Sequence, residues 1–216
     1  MHMNPHYVSI GQHGLPGILA SPLDAAGLII FAHGSGSSRL SPRNAHAADI
    51  LRQQGFATLL FDLLTMEESD ERANVFDIPL LAGRVGEAIA WVRSQASLAP
   101  LRIGLFGAST GAAAALVAAA EGPGDVSAIV SRGGRPDLAG AFLSAVQAPT
   151  LLIVGGDDTE VLALNEAAQR RMQCETRLAV IPGASHLFEE PGTLDLALAE
   201  ACAWFVQYLR RADGAG

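Results

Sequence analysis

The stretch RIGLFGASTGAAAALVAAA, residues 102–120, decides the fold. Its first part, Arg102–Phe106, is mostly apolar and predicts a buried strand, while the Ala-rich part after Gly111 predicts a helix. Between them, GASTG at 107–111 is a G-x-S-x-G pattern. A strand–turn–helix with this pattern is typical of a nucleophile elbow, in which Ser109 would sit on a strained turn above a sheet. A small-residue turn or a phosphate-binding loop is the alternative, and the context favours the elbow.

The same alternation of short apolar runs and longer helical patterns extends over the whole chain. The further predicted strands are Leu28–Ala32, Ala57–Asp62, Val126–Ser131, Thr150–Val154 and Arg177–Ile181, preceded by a weaker hairpin of Tyr7–Ile10 and Gly17–Ala20. The predicted helices are Pro42–Gln54, Asp77–Gln95, Thr110–Ala120, Val161–Met172 and Thr193–Arg211. This order predicts one α/β domain over residues 1–216, with a doubly wound, mostly parallel sheet covered by helices on both faces. Residues 1–5, with their Met-His-Met start, are set aside as a loose or added end.

The composition excludes several classes of protein. Half of the 216 residues are apolar and 17% are charged, which excludes a disordered chain. The net charge of −8 argues against nucleic acid as a partner, and the absence of an apolar run of about 18 residues argues against a membrane span. Cys174 and Cys202 form neither a disulfide framework nor a zinc pattern, and no signal sequence is recognisable. We therefore expect a cytoplasmic protein without a metal ion.

A serine hydroxyl needs a base, and that base needs an acid. His186 lies in a loop directly after the last predicted strand, at the edge where α/β sheets bind ligands. Asp157 and Asp158 follow the preceding strand, and only one of these adjacent side chains is expected to reach the imidazole. Asp158 is favoured, because its place three residues past Gly155 gives the loop room to turn a carboxylate inward.

A tetrahedral oxyanion needs backbone N–H donors. Thr110, the residue after the candidate nucleophile, is expected to supply one. The Gly/Ser loop His33–Ser38 follows the first core strand and is expected to supply the other, from Ser35 or, as second choice, Gly36. His33 is expected to support this loop rather than to react.

The motifs HGSGS, GASTG, GGDD and GASH occur in this order, and together they resemble the α/β-hydrolase superfamily over nearly the whole chain from about residue 17. Within it, the small form without a large lid domain is similar to the dienelactone-hydrolase-like group. The resemblance implies an α/β-hydrolase fold and a catalytic triad of Ser109, Asp158 and His186, with oxyanion amides at Ser35 and Thr110. It implies no cofactor. Dienelactone hydrolases proper carry cysteine at the elbow, where this chain has serine.

Arginines near the predicted site have two interpretations. Arg132 and Arg135 follow a core strand and are candidates for binding a substrate carboxylate; a structural ion pair with Asp137 or another carboxylate is the favoured alternative. Arg39 and Arg43 are interpreted in the same way.

Two acidic segments flank the site. The stretch Leu63–Val75 is predicted to be a solvated acidic loop rather than part of a pocket. Glu189 and Glu190 are predicted to start the last helix, where carboxylates suit the helix dipole.

Three functions follow from these patterns. The first is a serine hydrolase that cleaves small carboxylic esters through an acyl-enzyme on Ser109. The second is a dienelactone-type hydrolase that opens anionic cyclic esters, with Arg132 or Arg135, and Gly36, contacting the substrate. The third is a non-catalytic ligand-binding protein on the same fold. In each case the expected partner is a small molecule, such as an ester or lactone, and the expected protein is a monomer or homodimer that binds neither nucleic acid nor membrane.

Overall fold

The structure, a computed structural model, describes residues 5–210. The strands in this part of the chain are β1 (His6–Ile10), β2 (Leu15–Ala20), β3 (Leu28–Ala32), β4 (Ala57–Phe61), β5 (Ile103–Ala108), β6 (Val126–Arg132), β7 (Thr150–Gly155) and β8 (Thr176–Ile181). The helices are α1 (Pro42–Gln53), α2 (Met66–Asp70), α3 (Arg72–Val75), α4 (Ile78–Ser94), α5 (Thr110–Glu121), α6 (Thr159–Gln169) and α7 (Thr193–Leu209). A 3₁₀ helix spans Pro136–Ala145.

All the strands of residues 5–210 belong to one sheet, in the order β1-β2-β4-β3-β5-β6-β7-β8. The pairs β1–β2 and β2–β4 are antiparallel, and every other neighbouring pair is parallel. The predicted fold class, a doubly wound and mostly parallel sheet without a large lid domain, is confirmed.

Each face of the sheet carries its own apolar core, because successive side chains of a strand point to opposite faces. In β3, Leu28 and Ile30 pack on the face that α4, α5 and α6 cover. Ile29 and Phe31 pack on the face that α1 and α7 cover. Continuous apolar runs, rather than alternating ones, are what strands buried on both faces require.

Helix starts follow from local chemistry. Asp77 accepts a hydrogen bond from the Leu80 N–H at 3.0 Å and so caps α4, whose first turn tolerates Pro79. Ser41 caps α1 in the same manner, ahead of Pro42. Both helices were predicted close to these starts.

Two predicted boundaries and one prediction of burial were wrong. The hairpin turn is Gly11–Gly14, and β2 begins at Leu15, whose fully buried side chain belongs to the core. β8 lies at the sheet edge, with β7 as its neighbour, and Val180 is 43% exposed, so the prediction of a buried strand fails there. Helix α6 covers Thr159–Gln169 rather than 161–172. The predictions for residues 1–4 and Arg211 lie outside the described residues.

The carboxyl ends of parallel strands meet at one edge of a sheet, where α/β proteins bind ligands. The loops after β3, β5, β6, β7 and β8 therefore gather there, and they carry the predicted site residues. Within residues 5–210, no helix has the length and apolar character that a membrane span needs.

Candidate active site

Ser109 occupies a strained turn between β5 and α5. Its φ of 50° and ψ of −123° lie outside the regions that ordinary L-residues adopt, which costs of the order of 1–3 kcal/mol. The elbow predicted from the GASTG pattern therefore has the expected strand–turn–helix context and backbone strain.

The two glycines of the pattern are required by close backbone approach. A Cβ on Gly107 would lie 2.4 Å from the Cα of Ala112, and one on Gly111 would lie 2.1 Å from the carbonyl oxygen of Ala32. The elbow is also held from outside, because the Ser109 carbonyl oxygen accepts the Arg135 N–H at 3.1 Å. The strained turn is thus fixed by β3, by α5 and by the loop after β6.

The acid loop and the histidine loop meet beside the elbow. His186 Nδ1 lies 2.7 Å from Asp158 Oδ2, so the imidazole donates to the carboxylate and leaves Nε2 as its free nitrogen. The Asp158 side chain is 14% exposed, whereas Asp157 is an exposed residue whose N–H donates to the Ala184 carbonyl. Of the two adjacent aspartates, Asp158 is the one that contacts the histidine.

The histidine loop is itself braced. The Ser185 N–H donates to Glu190 at 3.0 Å, and hydrogen bonding by Ser185 lowers the pKa of the Glu190 carboxyl. Phe188 anchors the same loop in the core, although its φ of 56° is unusual for a bulky residue. The prediction that Glu189 and Glu190 start the last helix was wrong: α7 begins at Thr193, behind the left-handed Gly192.

Ser109 and His186 line one cavity of about 270 Å³, together with residues of the loop after β3 and with Arg132. A hydroxyl on a strained turn, an imidazole and a carboxylate on that imidazole are thus gathered at one edge of the sheet. Chemically, such a group can move a proton away from a serine hydroxyl.

The expected oxyanion donors lie next to each other. The Ser35 N–H donates a hydrogen bond to Thr110 Oγ1 at 3.1 Å. One expected oxyanion donor is therefore already bonded to the Thr110 hydroxyl, a contact that the sequence did not predict. Thr110 is only 2% exposed. Gly36, the second choice, lies at a φ of 68° on the wall of a neighbouring cavity.

His33 supports the loop that carries Ser35, one of the expected oxyanion donors, as the sequence suggested. Its Nε2 accepts the Leu63 N–H at 3.1 Å, and its Nδ1 donates to the Gly34 carbonyl at 3.0 Å. Burial lowers the pKa of His33, which is consistent with this neutral form.

The neighbouring cavity, of about 530 Å³, adjoins the expected oxyanion donors. Its wall includes Ser35 and Thr110 on one side and apolar side chains of the 63–75 segment and α4 on the other: Leu63, Leu64, Met66, Val75 and Leu81. The prediction that this segment is not part of a pocket was therefore wrong, and the helices α2 and α3 occupy most of the predicted loop. Of its acidic residues, Glu68 binds Arg84 and caps α2, while Glu67, Asp70 and Glu71 are exposed as predicted.

The arginines separate into paired and unpaired ones. Arg135 donates to both carboxylate oxygens of Asp137, at 2.9 and 2.8 Å, so the ion-pair alternative describes it. The other two ion pairs near the cavities are Arg39–Asp62 and Arg43–Glu189. Arg132 has no carboxylate partner among residues 5–210. Nor does the described part of the chain hold a cluster of His, Cys, Asp or Glu suited to a metal ion.

Comparison with known families decides the classification. A family model described as an alpha/beta hydrolase domain matches residues 25–211. The chain belongs to this α/β-hydrolase family. A crystal structure of a dienelactone hydrolase from Anabaena variabilis is 54% identical, with a TM-score of 0.92 over 97% of this chain and 99% of that one. The α/β hydrolase described here is therefore dienelactone-hydrolase-like, as its motifs indicated.

Two further comparisons differ in what they show. Est1E from Butyrivibrio proteoclasticus has a TM-score of 0.78 at 15% identity, over 94% of this chain and 98% of that one, and shares the fold alone. Proteins from two strains of Mycobacterium tuberculosis, provisionally named phosphoribosyl transferases, are 56% identical over 202 residues. That match covers 94% of this α/β hydrolase but 46% of the relatives, so the chain spans about half of their length.

Proposed function

We propose that this α/β hydrolase cleaves small carboxylic esters through an acyl-enzyme on Ser109. The observation that carries the proposal is the hydrogen bond between His186 and Asp158, at the cavity that also contains the strained Ser109. A ligand-binding protein has no need of a strained serine beside a base and an acid.

In the proposed reaction, His186 Nε2 takes the Ser109 proton as Oγ attacks the ester carbonyl carbon. The carbonyl oxygen becomes an oxyanion, which the Thr110 N–H and the Ser35 N–H would stabilise once the oxyanion replaces Thr110 Oγ1 as acceptor. Collapse breaks the ester C–O bond, and His186 gives its proton to the leaving alcohol. Water then attacks the acyl-enzyme by the same route, releases the carboxylic acid and restores the serine.

The two cavities support a division of the substrate. The apolar cavity adjoins Ser35 and Thr110, so it suits the acyl group whose carbonyl oxygen must face these donors. The smaller cavity contains His186, the group that protonates the alcohol, and suits the leaving group.

The test compares Ser109→Ala with Ser144→Ala, a matched change at an exposed serine of the 3₁₀ helix. We expect Ser109→Ala to lower p-nitrophenyl acetate hydrolysis by several powers of ten, to about the uncatalysed background, and Ser144→Ala to leave it unchanged. A fluorophosphonate should add once to the wild-type protein and not to Ser109→Ala, as read by intact mass. Full activity or labelling of Ser109→Ala would remove Ser109 from its proposed role, and the absence of any adduct on wild type would favour the non-catalytic binding protein.

A second candidate is the opening of anionic lactones. Arg132, beside Ser109 in the smaller cavity, favours it, as does the name of the Anabaena dienelactone hydrolase. Arg135 gives it no support because Asp137 already holds that guanidinium. Faster turnover of a carboxylated lactone than of its acyclic ester would favour this candidate.

The transferase name of the mycobacterial relatives suggests a different chemistry. We propose that this activity belongs to the half of those proteins that the present chain does not match, because the matched half corresponds to a hydrolase domain. Incubation of this chain with phosphoribosyl diphosphate and a nucleobase should give no nucleotide; nucleotide formation would refute the assignment.

A further inference from the structure

Arg132, the last residue of β6, is an unusual cation. It is only 8% exposed, yet it lines the cavity that contains Ser109 and His186. Its Nη2 donates to Asn44 Oδ1 at a long 3.3 Å. Its Nη1 is buried and has no hydrogen-bond partner among residues 5–210.

A buried charge without a partner is costly, because it gives up its hydration for nothing in return. Burial first, and repulsion by Arg43 second, lower the pKa of Arg132 to about 10, so the guanidinium is still charged near neutral pH. The Phe106 ring, whose centroid lies 5.7 Å from the guanidinium carbon, offsets part of the cost from the core side. An anion in the cavity is the partner that the site lacks.

A purely structural role does not account for this arrangement. Arg177 also stacks on a ring, at 5.5 Å from the Trp204 centroid, but it is more exposed and binds Glu200. Arg43, the nearest other cation, has its charge balanced by Glu189. Of the two arginines that line this cavity, only Arg132 therefore has no carboxylate partner among residues 5–210.

The position of this charge indicates which part of a substrate it meets. The smaller cavity contains Arg132 together with His186, which protonates the leaving alcohol in the proposed reaction. Ser35 lies in the walls of both cavities, whereas Thr110 lines only the apolar cavity, whose wall contains neither Arg132 nor His186. The charge consequently lies on the alcohol side of the scissile bond.

We propose that the natural substrates are esters of an apolar acid with an anionic alcohol, and that Arg132 binds the carboxylate or phosphate of that alcohol. The proposal rests on the ester hydrolysis described above and specifies its substrate class. The reaction consumes one water and yields an apolar carboxylic acid and a free hydroxy acid or phosphorylated alcohol. A reaction that acylates such an alcohol must supply the substrate.

The first experiment compares matched esters of butyric acid. Butyryl glycolate is paired with its neutral ethyl ester, and butyryl glycerol phosphate with monobutyrin, so that the two pairs distinguish a carboxylate from a phosphate. Monoethyl succinate and ethyl butyrate place the charge on the acyl side as a control. We expect kcat/KM to favour at least one of the two anionic alcohols over its neutral partner by about 10- to 100-fold, the usual range for a hydrogen bond to a charged group. The acyl-side pair should show no such preference.

The second experiment uses Arg132→Met, which keeps an apolar contact with Phe106, and Arg132→Lys, which keeps the charge. Arg132→Met should abolish the anion preference and Arg132→Lys should restore part of it. Arg177→Met, which removes a stacked arginine elsewhere, should leave the preference intact. Because Arg132→Met removes an unpaired buried charge, we expect it to fold with an unchanged or higher Tm.

Inhibition of the wild type by free glycolate and glycerol phosphate, with ethylene glycol and glycerol as neutral controls, gives a test that needs no variant. Equal kcat/KM for esters of charged and neutral alcohols would overturn the proposal, and so would an Arg132→Met variant whose kcat/KM falls equally for both kinds of ester. Neither result would contradict ester hydrolysis itself. Failure of the proposed function itself would differ: no ester would be cleaved and no fluorophosphonate adduct would form.

Discussion

Replacing Asp158 with asparagine is the sharpest test of the proposed mechanism, because its neighbour Asp157 provides a control of identical chemistry. The Asp158 carboxylate accepts the His186 Nδ1–H at 2.7 Å. An amide in its place either accepts that hydrogen without a charge or donates to Nδ1. In the second case the ring proton moves to Nε2, which then cannot receive the Ser109 proton.

The expected loss follows from these contacts. For serine–histidine–aspartate arrangements, this change costs about 10⁴ in kcat. The His186 side chain is 39% exposed, so water replaces part of the lost stabilisation of the imidazolium. We therefore expect kcat of Asp158→Asn to fall by about 10³ to 10⁴, which corresponds to about 4 to 5.5 kcal/mol in the activation free energy. Asp157→Asn keeps its backbone bond to Ala184 and should change kcat less than about twofold.

The assay is steady-state hydrolysis of p-nitrophenyl acetate, with the rate of fluorophosphonate labelling as a second reading of Ser109 nucleophilicity. Thermal unfolding of both variants controls for misfolding. An Asp157→Asn loss as large as that of Asp158→Asn would refute the assignment of the acid. An Asp158→Asn enzyme within about tenfold of wild type would refute the proton relay itself.

Four further changes probe the rest of the site. Thr110→Val removes the acceptor that the Ser35 N–H must give up to the oxyanion, so kcat should stay unchanged or rise by up to about 10-fold, the worth of one neutral hydrogen bond, whereas Thr110→Ser should retain wild-type kcat. A lower kcat for Thr110→Val than for Thr110→Ser would contradict this. Val75→Trp should fill the apolar cavity and lower kcat/KM for octanoyl esters but not for acetyl esters, so a parallel loss on both would count against an acyl cavity. Burial holds the pKa of His33 below its ordinary value, so the unfolded chain binds a proton at this residue before the folded chain does as the pH falls. The free energy of unfolding should therefore drop between about pH 7 and pH 5, and His33→Gln should reduce that drop. Urea unfolding at both pH values measures it. Ser109→Gly should be more stable than Ser109→Ala by about 1 kcal/mol, because glycine adopts a positive φ without strain, and equal Tm values would contradict it.

The fold was predictable because its signals are local and repeated. Leu28–Ala32 is apolar at every position, and the structure buries it on both faces. The pattern fails at β8, where apolar letters of the same kind lie at an edge, since a run of residues carries no information about how many neighbours the strand will have. The role of Glu190 was missed for a related reason: its carboxylate binds the Ser185 N–H instead of the helix terminus, and this contact depends on the path of the histidine loop.

For the candidate site, sequence reasoning located residues at strand ends but not their contacts. Asp158 was favoured over Asp157 on loop length, and the structure gives it the contact with His186. The hydroxyl of Thr110 was overlooked because the motif assigns that position a role for its N–H alone, although a β-branched polar residue at a buried helix start is itself a signal. The acidic residues of the 63–75 segment led to the prediction of a solvated loop, and the apolar residues between them were overlooked.

Two unfavourable features of residues 5–210 occur at the same cavity. Ser109 stores backbone strain, and Arg132 holds a buried charge without a counterion, and neither helps the protein to fold. Both residues are held in place by well-buried elements: β5 and α5 fix the serine, and β6 fixes the arginine over Phe106. Departures from good folding chemistry are expected where a protein binds or reacts, because a ligand then supplies the missing interaction. A bound anionic ester would give Arg132 a partner and Ser109 an electrophile at the same time. Both would be supplied only in the orientation that places the scissile carbonyl at the serine, so that orientation would be the one that offsets the unfavourable terms.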